Sequence, residues 1–112
     1  MKRNFIHLIK KVDEKTGEIL EKETFVTPAF IPFTLVYEAT DVMAGLDDKS
    51  EKESMDIMLD MIVKIYNNQF DAKQLSDGLH APEAVETLQK QIEFVASGAM
   101  DDKRKKELAN LI

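Results

Sequence analysis

Ser50-Glu51-Lys52-Glu53-Ser54-Met55-Asp56-Ile57-Met58-Leu59-Asp60-Met61-Ile62-Val63-Lys64-Ile65-Tyr66-Asn67 is the stretch on which the fold turns. Ser50 is a good N-cap, since its hydroxyl accepts one of the N–H groups that a first helical turn leaves unpaired. Glu53 stands three residues on, the spacing of a capping box. From Met55 onward the segment is apolar except for Asp56, Asp60 and Lys64, which lie four apart on one stripe. Asp60 and Lys64 are spaced to pair along the helix. A helix that is apolar over most of its circumference is either central to a bundle or shared with a partner.

Beyond it, Asn67-Asn68 end the helix, and Asp71 N-caps a short helix over residues 71–79. Gly78 and Pro82 then punctuate, and Pro82 opens a helix over residues 82–99, with Val85, Leu88, Ile92, Val95 and Ala99 at spacings of three or four. Phe94 falls off that stripe. Residues 100–112 read as one more helix or a frayed tail, with Leu108, Leu111 and Ile112 apolar. On the N-terminal side, Leu35, Val36, Ala39, Val42, Met43 and Leu46 give helical spacing over residues 33–46. Pro28 and Pro32 bracket Ala29-Phe30-Ile31 just before it, and Pro32 suits the first helical position.

Residues 1–27 read as a β-hairpin. Residues 5–12 and 19–27 are rich in Phe, Ile, Leu and Val, and Asp13-Glu14-Lys15-Thr16-Gly17 joins them as a polar turn. Gly17 can take the positive φ of a bulged hairpin loop. Phe5-Ile6 and Leu8-Ile9 put apolar groups on both faces, so one face packs on the helices and the other must meet something else. Two strands alone are marginal in water, and a second copy of the chain, paired through a hairpin edge, is one candidate cover. The fold class is therefore α+β, mostly α: an N-terminal hairpin followed by a small bundle of four to five helices. The expected layout is a single domain over residues 1–112, with the hairpin at 1–27, the helical core at 32–99 and a C-terminal helix or tail at 100–112.

The chain has 112 residues, a hydrophobic fraction of 44% and no cysteine. That length suits one core, and the lack of thiols excludes disulfides and thiolate zinc sites and fits a reducing cytoplasm. The first ten residues hold an apolar run too short and too polar for a signal peptide or membrane span, so no membrane association is expected. The net charge of −6 argues against a nucleic-acid partner. The one basic run, Lys103-Arg104-Lys105-Lys106, is flanked by acids and reads as a solvated helix face.

The residues offer little chemistry. His7 and His80 lack neighbours at metal-ligand spacing, and Asp47-Asp48-Lys49-Ser50-Glu51 lacks the spaced oxygens of a calcium loop. Ser54, Ser76 and Ser97 lie on helices without a base beside them, and the glycines form no phosphate loop. No catalytic residue, cofactor or metal is assigned, and an enzyme is not expected. What remains is apolar surface in excess of what so small a bundle can hide. Phe30, Ile31, Phe33, Met55, Met58, Met61 and Phe94 are the candidate partner-binding residues, methionine being the side chain that adapts to varied helical partners. For any one methionine at helical spacing, a place in the core is the commoner outcome.

Three stretches carry a family resemblance: Phe33-Thr34-Leu35-Val36-Tyr37-Glu38-Ala39; the central run from Ser54 through Gln69-Phe70; and Leu88-Gln89-Lys90-Gln91-Ile92-Glu93-Phe94-Val95. Over most of the chain they resemble the tail assembly chaperones of long-tailed bacteriophages that infect Gram-positive bacteria. The resemblance implies a protein made during phage morphogenesis and absent from the finished virion. It implies binding to the long helical tape measure protein, which it keeps soluble, and recruitment of the tail tube protein. It also implies a site of action in the bacterial cytoplasm. Relatives often have a longer form made by translational frameshifting, which a protein sequence cannot reveal. A holdase needs apolar area, adaptable side chains and a charged exterior, and this composition supplies them.

Two other classes compete. A helical head-to-tail connector subunit would also be small, but it would appear by mass spectrometry in purified particles. A small adaptor or regulatory protein of a mobile element or prophage would need no tape measure. A neighbouring tail tube gene and a very long helical gene would favour the chaperone.

Overall fold

In the hairpin turn, the Asp13 carboxylate accepts the N–H groups of Lys15 at 2.9 Å and Thr16 at 3.2 Å, and Gly17 sits at φ 75°. This polar knot joins β1 (Phe5–Val12) to β2 (Ile19–Val26) as an antiparallel pair in which Ile6 faces Phe25 and Leu8 faces Glu23. The register is irregular between Ile9 and Val12. The structure is a computed structural model and describes residues 2–98 and 102–111. Five helices follow the hairpin: α1 (Thr34–Gly45), α2 (Glu51–Ile65), α3 (Ala72–Asp77), α4 (Ala81–Ser97) and α5 (Asp102–Leu111), with a 3₁₀ turn at Leu46–Asp48 after α1. The architecture is α+β and mostly α, as the pattern predicts.

Each helix end has a local cause. Asp71 and Gln74 form a reciprocal capping box at α3. Asn67 and Asn68 stop α2 by entering the left-handed region at φ 54° and 60°, which asparagine tolerates. Gly98 caps α4 at φ 70°, and its N–H reaches Phe94 O at 2.7 Å.

Several local expectations need correction. Ser50 accepts from the Glu53 N–H, but the Glu53 carboxylate takes the Ser50 hydroxyl rather than the Ser50 N–H, so the box is half formed. Pro32 does not open α1; it lies two residues ahead, and its carbonyl accepts the Leu35 N–H at 3.0 Å. Lys64 turns from Asp60 to Glu38 of α1 at 3.3 Å, because α1 brings a carboxylate closer than the helix's own stripe does. Helix α4 starts one residue early, at Ala81. Ala99, Asp101 and Ile112, assigned to the last two helices, lie outside the described residues.

The core gathers Ile6 and Leu8 from the hairpin, Ala39 from α1, Met58, Met61, Ile62 and Ile65 from α2, Leu75 from α3, and Leu88 and Ile92 from α4. Helices α1, α2 and α4 pack on one another, and α3 bridges α2 and β1. That bridge depends on Gly78: a Cβ there would lie 2.8 Å from Leu8 Cβ, and the Gly78 carbonyl accepts the Ile9 N–H at 2.8 Å. The other face of the hairpin is not left bare. Helix α5 lies over Phe5, so part of the cover expected from a second copy comes from the same chain.

Candidate partner-binding surface

The aromatic residues of the hairpin–α1 junction stay outside. Phe30 is 64% exposed, Phe33 67% and Tyr37 65%. Phe33 and Tyr37 are one helical turn apart and meet edge to face, with ring centroids at 5.3 Å. Pro28, Pro32 and the first turn of α1 restrain the backbone that carries this cluster. Ile31 is half-buried beside it, and with Pro32, Val36, Phe94, Val95, Lys2 and Gly98 it lines a shallow cleft of about 160 Å³.

The structure separates the seven candidates. Phe30, Phe33 and Met55 are exposed, and Ile31 and Phe94 meet at the cleft. Met58, Met61 and Phe94 are at least 95% buried, so as single side chains they belong to the interior rather than to a free surface. The methionines are buried because α2 packs against α1, α3 and α4, and Met58, Met61, Ile62 and Ile65 form its buried stripe. At the junction the exposed apolar side chains are therefore aromatic, and of the three candidate methionines Met55 alone is exposed.

Tyr37 was missed by sequence reasoning, although its place four residues after Phe33 was a legible signal. A second apolar patch, Val12, Ile19 and Leu20, lies at the hairpin tip and was also missed as a surface. Between α1 and α2 runs a groove of about 310 Å³ lined by Val42, Ile57 and Met61 together with Glu38, Asp41, Asp60 and Lys64.

Behind the surface lies a buried polar knot. Gln91 donates from Nε2 to Phe5 O at 2.8 Å, and its Oε1 accepts from Tyr66 at 2.6 Å and from Asn4 Nδ2 at 3.1 Å. Burial pushes the Tyr66 phenol far above its ordinary value, against a smaller opposing pull from Arg104 and from the Gln91 bond. The phenol is thereby fixed as a hydrogen-bond donor, which is a structural role. On the surface, the hydrogen bond to Asp77 and then its charge raise the Lys73 ammonium. Among the described residues, no three His, Asp or Glu side chains gather where they could hold a metal ion. Among the same residues, no helix is long and apolar enough to cross a membrane.

The arrangement suits holding another polypeptide: exposed aromatics on a well-packed scaffold. No curated protein and no solved structure matched the chain. The family model described as phage tail chaperone protein matches residues 1–111, nearly the whole length, and the chain belongs to that family.

Proposed function

We propose that this protein binds the tape measure protein during tail assembly, keeps it soluble and helps bring tail tube subunits to it. The observation that carries the reading is the exposed Phe30, Phe33 and Tyr37 cluster in a protein of the tail chaperone family. A long helical partner exposes apolar stripes that aggregate unless they are covered. Aromatic rings on a rigid support cover such stripes at small entropic cost. A net charge of −6 keeps the resulting complex apart from its neighbours. Many copies along one partner add avidity without needing a tight single contact. The family is one of assembly factors rather than enzymes, and the site of action proposed is the host cytoplasm, with release before the virion is complete.

Co-expression with tape measure fragments tests this directly. Soluble yield should rise with the wild-type protein and fall back when Phe30, Phe33 and Tyr37 are replaced together by serine. Unchanged yield in the presence of the wild-type chain would remove the tape measure from the proposal. Self-association through the hairpin is part of the same reading, supported by the two-stranded sheet and by Val12, Ile19 and Leu20 at its tip. Light scattering after size exclusion checks that part, and a strict monomer at high concentration removes it.

A further inference from the structure

The two apolar openings of this surface lie at opposite ends of the hairpin. At its base is the shallow cleft walled by Ile31, Pro32, Val36, Phe94 and Val95, with Lys2 at the rim. At its tip, where β1 passes into β2, Val12, Ile19 and Leu20 stand exposed. At the rise of an extended chain, Lys2 and Val12 are roughly 30 Å apart. A chain therefore cannot seat its own tip in its own cleft.

The two ends are complementary. The cleft holds about 160 Å³. A cavity of about 150 Å³ with apolar walls takes a benzene-sized group, so there is room for a single leucine side chain. Leu20, at 55% exposure, is the most exposed of the three tip residues. Glu18 and Glu21 flank it in the chain, whereas the charged residue of the cleft is Lys2. Among the described residues, none of these three charges has an ion-pair partner. Tip against tip would bring the glutamates of two copies together, and like charges in contact repel. Tip against cleft brings them to a lysine instead.

We propose that the occupant of the Ile31–Phe94 cleft is the hairpin tip of a second copy of this chain, with Leu20 entering the cleft and the tip glutamates facing Lys2. The proposal rests on the self-association read above and gives it a geometry. A contact between two different patches of one chain is head to tail, so each copy leaves a cleft and a tip open for the next. Growth by addition of copies suits a protein that covers a long partner.

Light scattering on the full-length chain at rising concentration provides the test. The wild-type mass should climb beyond that of a pair. Leu20→Asp, which spoils the tip, and Val36→Phe, which fills the cleft, should each be monomeric when alone. Mixed, they retain one sound cleft and one sound tip between them, and should give a one-to-one pair that grows no further. Lys2→Glu, a second cleft variant that leaves the packing alone, should weaken association about threefold or more, the scale of an exposed ion pair. Mixing it with Glu18→Lys/Glu21→Lys should restore association. Either tip or cleft variant associating alone as wild type does, or a mixture that forms no pair, would overturn the head-to-tail contact and leave edge pairing standing. A wild-type chain that stays monomeric throughout would remove self-association as a whole.

Discussion

The Tyr66 hydroxyl donates to Gln91 Oε1 across 2.6 Å at a point where both side chains are shut away from water. The same amide holds Phe5 O and Asn4 Nδ2, so one glutamine ties the start of β1 to α4 and to the end of α2. Gln91→Leu keeps the approximate size but leaves the Tyr66 hydroxyl and Asn4 Nδ2 without that acceptor. The expected loss is about 3 kcal/mol, the scale of stranding buried polar groups. Urea denaturation measures it, and a loss below about 1 kcal/mol would mean that water replaces the amide.

The same knot gives the protein an alkaline weakness. Burial, the largest influence on Tyr66, raises its pKa in the folded state above the ordinary 10.0. Below that ordinary value both states keep the proton and the contribution to stability is complete. As pH climbs past about 10, the unfolded chain releases the proton while the native chain retains it. Stability should then fall by about 1.4 kcal/mol per pH unit from this group alone. The difference between wild type and Tyr66→Phe in denaturant midpoints from pH 9 to 11 isolates the effect. Parallel pH profiles would show that Tyr66 ionises normally.

Gly78→Ala should loosen the hairpin from the helices. The added methyl group would meet Leu8 Cβ at 2.8 Å and Leu8 Cα at 3.2 Å, so β1 and the end of α3 must separate. The Ile9 N–H then loses its short bond to the Gly78 carbonyl. Overpacking of this kind costs about 1–3 kcal/mol. Hydrogen exchange at the Ile9 amide should accelerate more than exchange in α4, and uniform acceleration would point to a global effect instead.

Surface and interior aromatics should part company on mutation. Replacing Phe30, Phe33 and Tyr37 together by serine should change stability by less than about 1.5 kcal/mol, since exposed substitutions are each worth a few tenths. Phe94→Ala, at a residue 5% exposed, should cost about 3 kcal/mol or more. Thermal melts of the two variants check the contrast. A triple variant as unstable as Phe94→Ala would place those rings in the core.

Much of the fold was legible because its signals are local. Asp13 and Gly17 set the turn, Asp71 and Gln74 cap α3, and Asn67 and Asn68 stop α2, each acting within a few residues of itself. The side of α2 that faces inward was not legible. A helix apolar most of the way round does not say which neighbours will surround it, and α1, α3 and α4 bury Met58 and Met61. Arg104 was read with its basic neighbours as solvated, whereas it turns onto Phe5, 99 residues away. Gln91 carries no local sign of burial, because the groups that converge on it, Asn4 and Tyr66, lie 87 and 25 residues away in the chain. Of the candidate surface, Phe30 and Phe33 were read from the sequence, and Tyr37 required only the next turn.

The bond from Gln91 to the Phe5 carbonyl spans 86 residues, and Ile6 and Leu8 share their core with Leu88 and Ile92. Synthesis runs the other way, so the strands leave the ribosome long before the helix that covers them. A two-stranded ribbon with an oily underside holds its shape poorly by itself, and closing so long a loop is slow. A nascent chain stalled before α4 should thus carry an unlatched, adhesive hairpin, and emergence of α4 is the event that locks it.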